Sequence, residues 1–174
     1  MPAQPPSPVS STANRSFGSF GSFGSFGSLG SAPAATDLER IIRRYAAQWQ
    51  RHEVLLVGYS FGADVLPFLY TRLPAEVRGT VRSVSLLGLS STAEFEFHVS
   101  DWIPGAADRG RPTVPEIARI TDAPVLCLRG EGEDDSPCPG LAGPGRRSVT
   151  LPGGHHFGGD YEALARQIIA FARR

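Results

Sequence analysis

The 174-residue sequence lacks several features that would assign it to a specialised class of protein. Seventeen basic and seventeen acidic side chains balance, so no excess of Lys and Arg is present to bind phosphates, and no nucleic-acid partner is expected. No apolar run approaches the roughly 20 residues that span a bilayer. The chain begins without a basic segment followed by an apolar one, so we expect no signal peptide and, if this start is genuine, a cytoplasmic location. Only two cysteines occur, Cys127 and Cys138, and both inert thiols and one short-loop disulfide are compatible with them.

Glycine is plentiful by contrast, and its first cluster forms a repeat near the N-terminus. Residues 17–31 read FGSFGSFGSFGSLGS, a Phe-Gly-Ser triplet that ends as Leu-Gly-Ser. Glycine costs backbone entropy on folding, and the phenylalanine spacing fits neither a helix nor a strand. We therefore expect residues 1–35 to be a disordered low-complexity leader and residues 36–174 to be the folded domain.

The remaining sequence alternates between strand and helix patterns. The continuous apolar run at residues 53–58 predicts a strand buried on both faces, as in a parallel sheet. Residues 81–89 and 124–129 predict a second and a third buried strand, and residues 148–151 predict a short fourth strand. The capping box Thr36-Asp37-Leu38-Glu39 predicts a helix through about residue 50, and residues 63–73 predict a second. Asp160 is a candidate N-cap for a C-terminal helix. Its predicted inward-facing side chains are Leu164, Ile168, Ile169 and Phe171. The predicted class is α/β, a mostly parallel sheet flanked by helices.

The end of the first predicted strand carries the pattern of a nucleophile elbow. Functional groups of parallel sheets collect at the carboxyl ends of the strands. Gly58-Tyr59-Ser60-Phe61-Gly62 matches G-x-S-x-G, in which the serine occupies a sharp turn and the flanking glycines avoid clashes. Ser60 is the predicted nucleophile, and the N–H of Phe61 would point toward a developing oxyanion. The alternative is a serine in a plain tight turn.

Acids and histidines follow the later strands. Four acids compete to orient a histidine after the third strand, namely Glu131, Glu133, Asp134 and Asp135. His155 and His156 follow the fourth strand, and because adjacent side chains point in different directions, at most one is the base. The order serine, acid, histidine is that of α/β hydrolases. A metal site is the rival interpretation, but no third ligand lies near the histidine pair, so we predict no metal and no cofactor.

Five segments of the chain are similar in sequence to segments of a known protein family. They are GYSFGADVLPF, SLLGLS, AEFEFHVSDWIPG, PVLCLRGEGEDDSPCP and LPGGHHFGGDY. Over roughly residues 36–174 the chain resembles the bacterial virulence proteins VirJ and AcvB. These are α/β-hydrolase-like proteins that are usually exported to the periplasm. The resemblance therefore implies an α/β-hydrolase-like fold and a periplasmic location.

The resemblance also selects among the candidate site residues. It supports Ser60 as the nucleophile. Asp135 takes the place of the acid in the hydrolase pattern D-x-x-(apolar)-P, with Asp134 as the alternate. His156 stands before Phe in a G-x-x-H-F context and is the implied base, with His155 as the alternate.

The family's activity supplies the expected substrate and partners. By resemblance, the protein would hydrolyse the aminoacyl ester of aminoacylated phosphatidylglycerol, the lysyl ester above all. Expected partners are that lipid or another ester substrate, a membrane surface and secretion-system proteins. The periplasmic setting favours a disulfide between Cys127 and Cys138 that pins the acid loop to its strand. The segment between residues 90 and 123 would form a cap or lipid-facing surface, or pack in the core, through Phe95, Phe97 and Trp102, with Glu96 and Asp101 facing a lysyl ammonium.

The N-terminal part departs from the family pattern. Family domains have an early strand and a Gly-rich loop resembling SGDGGW before the first helix, and that loop supplies the second oxyanion N–H. Here the Phe-Gly-Ser repeat stands in its place. We therefore expect a truncated or mis-started domain with the triad present and the oxyanion hole incomplete, a loss on the order of 10²–10³ in rate. The alternative function is accordingly a catalytically weak or inactive accessory protein of virulence or secretion.

Overall fold

The apolar runs of the sequence become strands that alternate with helices. The computed structural model describes residues 31–95 and 110–173. In chain order the elements are α1 (Ser31–Trp49), β1 (Val54–Tyr59), α2 (Phe61–Tyr70), α3 (Ala75–Arg78), β2 (Val81–Leu87), β3 (Thr92–Ala93), β4 (Arg111–Pro112), α4 (Thr113–Ala118), β5 (Val125–Gly130), β6 (Arg146–Leu151) and α5 (Tyr161–Ala172). Among these helices, none is long and apolar enough to cross a membrane.

Four of the strands form one parallel sheet with the order β1-β2-β5-β6. The register pairs Tyr59 with Leu87 and Leu87 with Leu128, so the carboxyl ends of neighbouring strands lie side by side. The short strands β3 and β4 form a separate antiparallel pair. The predicted α/β class with a mostly parallel sheet is confirmed, and the strand, sharp turn and helix around residue 60 have the arrangement of an α/β hydrolase.

Apolar clusters cover both faces of the sheet. One cluster joins α1, α2 and α4 to the sheet, and its fully buried members include Ala63, Val84, Leu86 and Ile117. The other cluster joins α5 to the opposite face, and its members are Leu87, Leu126, Leu128, Phe157, Leu164 and Ile168. Burial on both faces agrees with the predominance of apolar residues in β2 and β5, although β2 also carries Arg82 and two buried serines, Ser83 and Ser85.

Strand β1 differs from the others because it pairs only with β2 in the described part of the chain. Leu56 is buried, but Leu55, Val57 and Tyr59 are 39%, 49% and 43% exposed. The prediction that this strand is buried on both faces is therefore wrong. Alternation along an edge strand brings one set of side chains against the core and leaves the other set facing solvent.

The first helix begins earlier than the capping box predicts. Helix α1 starts at Ser31, so Thr36 and Glu39 lie inside it, and the Thr36 hydroxyl donates to the Ala32 carbonyl at 3.2 Å. Pro33 lies in the first turn, where a missing N–H interrupts no helical hydrogen bond. The capping-box prediction is wrong because the Ala-rich residues before it continue the helix, five residues ahead of the expected domain start at 36.

The C-terminal helix follows its prediction more closely. The Asp160 carboxylate caps α5 by accepting a hydrogen bond from the Ala163 N–H at 2.9 Å, as predicted. Leu164 and Ile168 are buried against the sheet. Ile169 is 44% exposed, so the prediction that it faces inward is wrong.

Part of the predicted cap and residues 1–30 of the predicted leader lie outside the described residues, whereas residues 31–35 of that leader are helical. Phe95 is described, and its ring packs edge-to-face on Phe68 of α2 with centroids 5.2 Å apart. Glu96, Phe97, Asp101 and Trp102 fall in the undescribed range, as do residues 1–30. The cap, the disordered leader over residues 1–30 and the incomplete oxyanion hole therefore stay predictions.

A disulfide joins Cys127 of β5 to Cys138, with a Cα–Cα distance of 5.4 Å. Both side chains are buried. The bridge closes a loop with a sequence separation of 11, and that loop contains the four candidate acids Glu131, Glu133, Asp134 and Asp135. Cross-linking its two ends limits how far these acids can move from the end of the strand.

We predict that replacing both cysteines by alanine lowers the free energy of unfolding by about 2–3 kcal/mol, because the unfolded chain then regains the entropy of the open loop. Denaturant unfolding of the wild type with and without reductant should show the same loss, and reductant should leave the double variant unchanged. Thiol titration of the denatured protein should find two thiols only after reduction. Two thiols before reduction would contradict the bridge.

Candidate active site

Ser60 lies on a strained turn between β1 and α2. Its backbone has φ 53° and ψ −127°, a combination that costs a residue with a side chain on the order of 1–3 kcal/mol. The Ser60 N–H donates to the Leu87 carbonyl at 2.8 Å, and the Ser60 carbonyl accepts from the Ala63 N–H at 2.7 Å. Phe61 is the first residue of α2, so its N–H lies at the amino end of the helix. The predicted elbow geometry is therefore present.

The two glycines of the elbow motif have different roles. A Cβ at Gly58 would lie 2.3 Å from the Gly62 carbonyl oxygen, a contact that backbone atoms cannot relieve. A Cβ at Gly62 would meet nothing within 4 Å. The expectation that both glycines avoid a clash holds for Gly58 and is wrong for Gly62.

His155 connects the serine to an acid. Its Nε2 lies 2.8 Å from Ser60 Oγ, and its Nδ1 lies 2.6 Å from Glu133 Oε1. An ionised carboxylate can only accept, so Nδ1 carries the proton that it donates to Glu133. In the neutral ring, Nε2 is then an acceptor for the Ser60 hydroxyl, which is the arrangement of a general base.

Hydrogen bonds from the last two residues of β5 hold Glu133 in place. Its second carboxylate oxygen, Oε2, accepts from the Gly130 N–H at 2.6 Å, and its backbone carbonyl accepts from Arg129 Nη1 at 3.0 Å. The side chain of Glu133 is 16% exposed and that of His155 is 40% exposed. The acid is therefore fixed from two sides, and the imidazole is open to solvent on one side.

The histidine reaches Ser60 by lying across the ends of two intervening strands. A Cβ at Gly88, which follows β2, would come within 2.7 Å of the His155 ring. A Cβ at Gly130, which ends β5, would come within 2.2 Å of the Gly154 carbonyl oxygen. Glycine is thus required at both strand ends, because larger residues would lift the histidine loop away from the serine.

The structure corrects the choice of acid and base. The prediction that Asp135 is the acid and His156 the base connected to Ser60 is wrong, because Glu133 and His155 occupy these positions. The alternate acid, Asp134, is also not part of this connected set. Asp134 and Asp135 are exposed, and the Asp135 backbone carbonyl accepts from the Ser91 hydroxyl at 3.2 Å. Glu133 lies in the turn after Gly130, closer to the end of β5 than Asp134 and Asp135, and its longer side chain reaches His155 Nδ1. The alternate base, His155, is the one that contacts Ser60.

His156 points to Tyr59 instead. Its Nδ1 lies 2.7 Å from the Tyr59 hydroxyl, which also donates to the His155 carbonyl at 3.2 Å. The Tyr59 ring is tilted against the His155 imidazole with centroids 5.3 Å apart. The sequence interpretation assigned no role to Tyr59. The signal for one is its place inside the elbow motif, next to the serine.

A second residue without a predicted role, Asp64, lies beneath the site. It is buried in the first turn of α2 and accepts from the Ser90 N–H at 2.7 Å. Burial raises the pKa of Asp64, and the hydrogen bond from Ser90 offsets only part of that effect. The bond ties the loop after β2 to the elbow helix, and Gly88 in that loop contacts the His155 ring.

An open cleft of about 440 Å³ lies beside the histidine. Residues 88–92, residues 132–136 and His155 line it. The exposed carboxylates of Asp134 and Asp135 lie along it. A larger cavity of about 790 Å³ lies at the amino ends of the strands, where Thr80 and Arg146 line it. Ser60, Glu133 and His155 do not line this cavity.

Comparisons with known proteins identify a family whose model matches this chain. Residues 29–174 match the family model described as bacterial virulence protein (VirJ). No curated protein matches the chain. Naproxen esterase (carboxylesterase NP) from Bacillus subtilis is similar over 78% of this chain at 15% identity and a TM-score of 0.48, and this chain covers 65% of that one. The NocB thioesterase domain, in a covalent complex with a fluorophosphonate nocardicin G analog, is similar over 88% of this chain and 77% of that one at 19% identity and a TM-score of 0.48.

The elbow geometry yields a matched pair of substitutions. We predict that Gly58→Ala destabilises the fold by several kcal/mol, because the methyl group would overlap backbone atoms of the next turn. Gly62→Ala should be neutral or stabilise by up to about 1 kcal/mol, because it adds a helix-favouring residue in open space. Urea unfolding of both variants measures the difference. Equal effects at the two positions would contradict the geometry.

Proposed function

The chain belongs to the VirJ family of bacterial virulence proteins, and from that premise we propose that it is a serine hydrolase that cleaves carboxylic esters. The observation that carries the proposal is the connected set of Ser60 Oγ, His155 and Glu133, with distances of 2.8 Å and 2.6 Å. A nucleophile within hydrogen-bond reach of a base, and a base oriented by a third group, is the signature of covalent catalysis.

In the acylation step, Ser60 Oγ attacks the ester carbonyl while His155 Nε2 accepts the hydroxyl proton. A tetrahedral intermediate forms, and Glu133 stabilises the imidazolium through the Nδ1–H bond. The Phe61 N–H at the start of α2 is proposed to donate to the oxyanion. When the carbon–oxygen bond to the alcohol breaks, His155 returns the proton to the leaving oxygen, and the acyl group stays on Ser60.

In the deacylation step, water takes the place of the alcohol. His155 Nε2 accepts a proton from the water as its oxygen attacks the acyl carbonyl. Collapse of the second intermediate returns that proton to Ser60 Oγ and releases the carboxylic acid. One ester and one water thus give one acid and one alcohol, and the enzyme is unchanged.

For the substrate we propose the aminoacyl ester of aminoacylated phosphatidylglycerol, with the lysyl ester as the preferred one. The acidic cleft beside His155 supports this choice. Asp134 and Asp135 are exposed acidic residues that line this cleft together with His155. An aminoacyl group carries at least one ammonium, and lysine carries two, so these carboxylates would attract the acyl side of the ester.

For the location we propose the periplasm, and the disulfide supports it. Bridges such as Cys127–Cys138 persist in oxidising compartments and are rare where thioredoxin keeps thiols reduced. A peripheral contact with the membrane follows from a lipid substrate, and association with secretion-system proteins is a further proposal of the same kind.

We predict that a fluorophosphonate probe labels the wild type and fails to label Ser60→Ala, because the probe reacts with an activated serine. Gel detection of the bound probe in both proteins, with circular dichroism to verify folding, measures this. Labelling that survives in Ser60→Ala would rule out Ser60 as the nucleophile. A folded wild type without labelling would favour a non-catalytic accessory protein.

The acid has its own test. We predict that Glu133→Gln slows labelling and neutral-ester hydrolysis by roughly 10²–10⁴, because an amide in place of the carboxylate no longer fixes the required histidine tautomer or stabilises its charge. Glu131→Gln makes the same chemical change in the same loop on an exposed side chain and should retain the wild-type rate. Equal losses in the two variants would show that Glu133 does not orient the base.

The substrate proposal predicts a charge-dependent change in KM. In the double variant Asp134→Asn, Asp135→Asn, KM for lysyl-phosphatidylglycerol should rise roughly five-fold at low salt, since exposed ion pairs contribute up to about 1 kcal/mol. Release of free lysine measures the reaction. The KM for p-nitrophenyl butyrate, which has no ammonium, should not change. An equal rise for both esters, or wild-type KM for the lysyl lipid, would contradict ammonium recognition in this cleft.

A further inference from the structure

We propose that Tyr59 and His156 form a clamp that positions the base His155, so that both are positioning residues for the reaction. The clamp is defined by the Tyr59 hydroxyl, the His156 ring and the His155 backbone carbonyl. The inference rests on the proposed function, because it assigns to His155 the role of general base.

The clamp acts directly on the residue that carries the base. The Tyr59 hydroxyl donates to the His155 carbonyl at 3.2 Å and lies 2.7 Å from His156 Nδ1. Its single proton goes to the carbonyl, so His156 Nδ1 carries a hydrogen and donates it to the tyrosine oxygen. Two consecutive residues of the loop are thus bound to one atom at the end of β1.

The base requires such support because its other contacts leave one side open. Gly88 lies against one side of the His155 ring, and Glu133 holds Nδ1. The His155 side chain is 40% exposed, so burial alone does not fix its orientation. Tyr59 supplies a further contact, with its ring 5.3 Å from the imidazole and its hydroxyl on the peptide that follows.

The clamp also connects the base to the nucleophile through a short covalent path. Tyr59 is the residue immediately before Ser60, and its backbone position is set by pairing with Leu87 of β2. A movement of the histidine loop relative to β1 would therefore change the distance between His155 Nε2 and Ser60 Oγ. Proton transfer between these atoms depends on a separation near 2.6–3.2 Å.

We expect Tyr59→Phe to lower kcat roughly ten-fold and to leave KM unchanged, because it removes both hydroxyl bonds and keeps the ring. The substrate is the neutral ester p-nitrophenyl butyrate. Tyr45→Phe is the matched control, since Tyr45 is 41% exposed, close to the 43% of Tyr59, and its hydroxyl has no hydrogen bond within the described residues. The control should retain the wild-type kcat.

Substitutions of His156 test the other half of the clamp. His156→Ala should lower kcat by a similar factor, and His156→Asn should restore most of the rate because its amide can donate from a position near Nδ1. The double variant Tyr59→Phe, His156→Ala should match Tyr59→Phe alone, since both changes remove the same bond. Multiplying losses, roughly 100-fold in the double variant, would overturn the clamp.

A structural readout separates the clamp from the hydrolase proposal. In ¹⁵N-detected NMR of the histidine rings, Tyr59→Phe should shift the His156 Nδ1 resonance and leave that of the exposed His52 unchanged. An unmoved His156 resonance, or a wild-type kcat in Tyr59→Phe, would overturn the inference. Failure of Ser60→Ala to abolish labelling would instead refute the proposed function, and the NMR result would still report whether the clamp exists.

Discussion

The turn at Ser60 holds a serine at a positive φ, and the surrounding structure must stabilise that conformation. Three features do so. Gly58 allows the backbone of the next helical turn to approach within a distance that no Cβ would permit. The Ser60 N–H is bound to the end of β2, and its carbonyl begins the hydrogen-bond pattern of α2. The elbow is therefore the product of the strand pair and the helix together, and the hydroxyl direction follows from it.

A second constraint is the distance between the strands that supply the site. In the order β1-β2-β5-β6, the histidine strand is three positions from the serine strand, roughly 14 Å at the usual spacing. No side chain covers that distance, so the loop after β6 must lie over the ends of β2 and β5. Gly88 and Gly130 make this path available. The disulfide limits the movement of the loop that carries Glu133, and the Gly130 N–H holds the Glu133 carboxylate, which contacts His155 Nδ1.

The sequence predicts the architecture well because burial leaves a clear periodic signal. The four strands, the elbow and the Asp160 cap all appear close to their predicted places. The choice among neighbouring acids and histidines has no such signal. His155 and His156 have the same chemistry and differ only in the direction that the loop gives them. That direction depends on close approaches between residues far apart in the chain, Gly88 to His155 and Gly130 to Gly154. Patterns taken from other hydrolases select by local spacing, so they choose His156 and Asp135 and miss the longer reach of Glu133.

The edge position of β1 has a consequence for how the site is held. Alternation exposes Tyr59 together with Leu55 and Val57, so the residue next to the nucleophile cannot be fixed by core packing. Water competes for an exposed hydroxyl and reduces the net contribution of each hydrogen bond to about 1 kcal/mol. The Tyr59 hydroxyl makes two such contacts on consecutive residues, and both restrain the same loop. On an exposed edge, shared hydrogen bonds of this kind restrain the loop where core packing cannot, and the second histidine of the pair is needed to complete them.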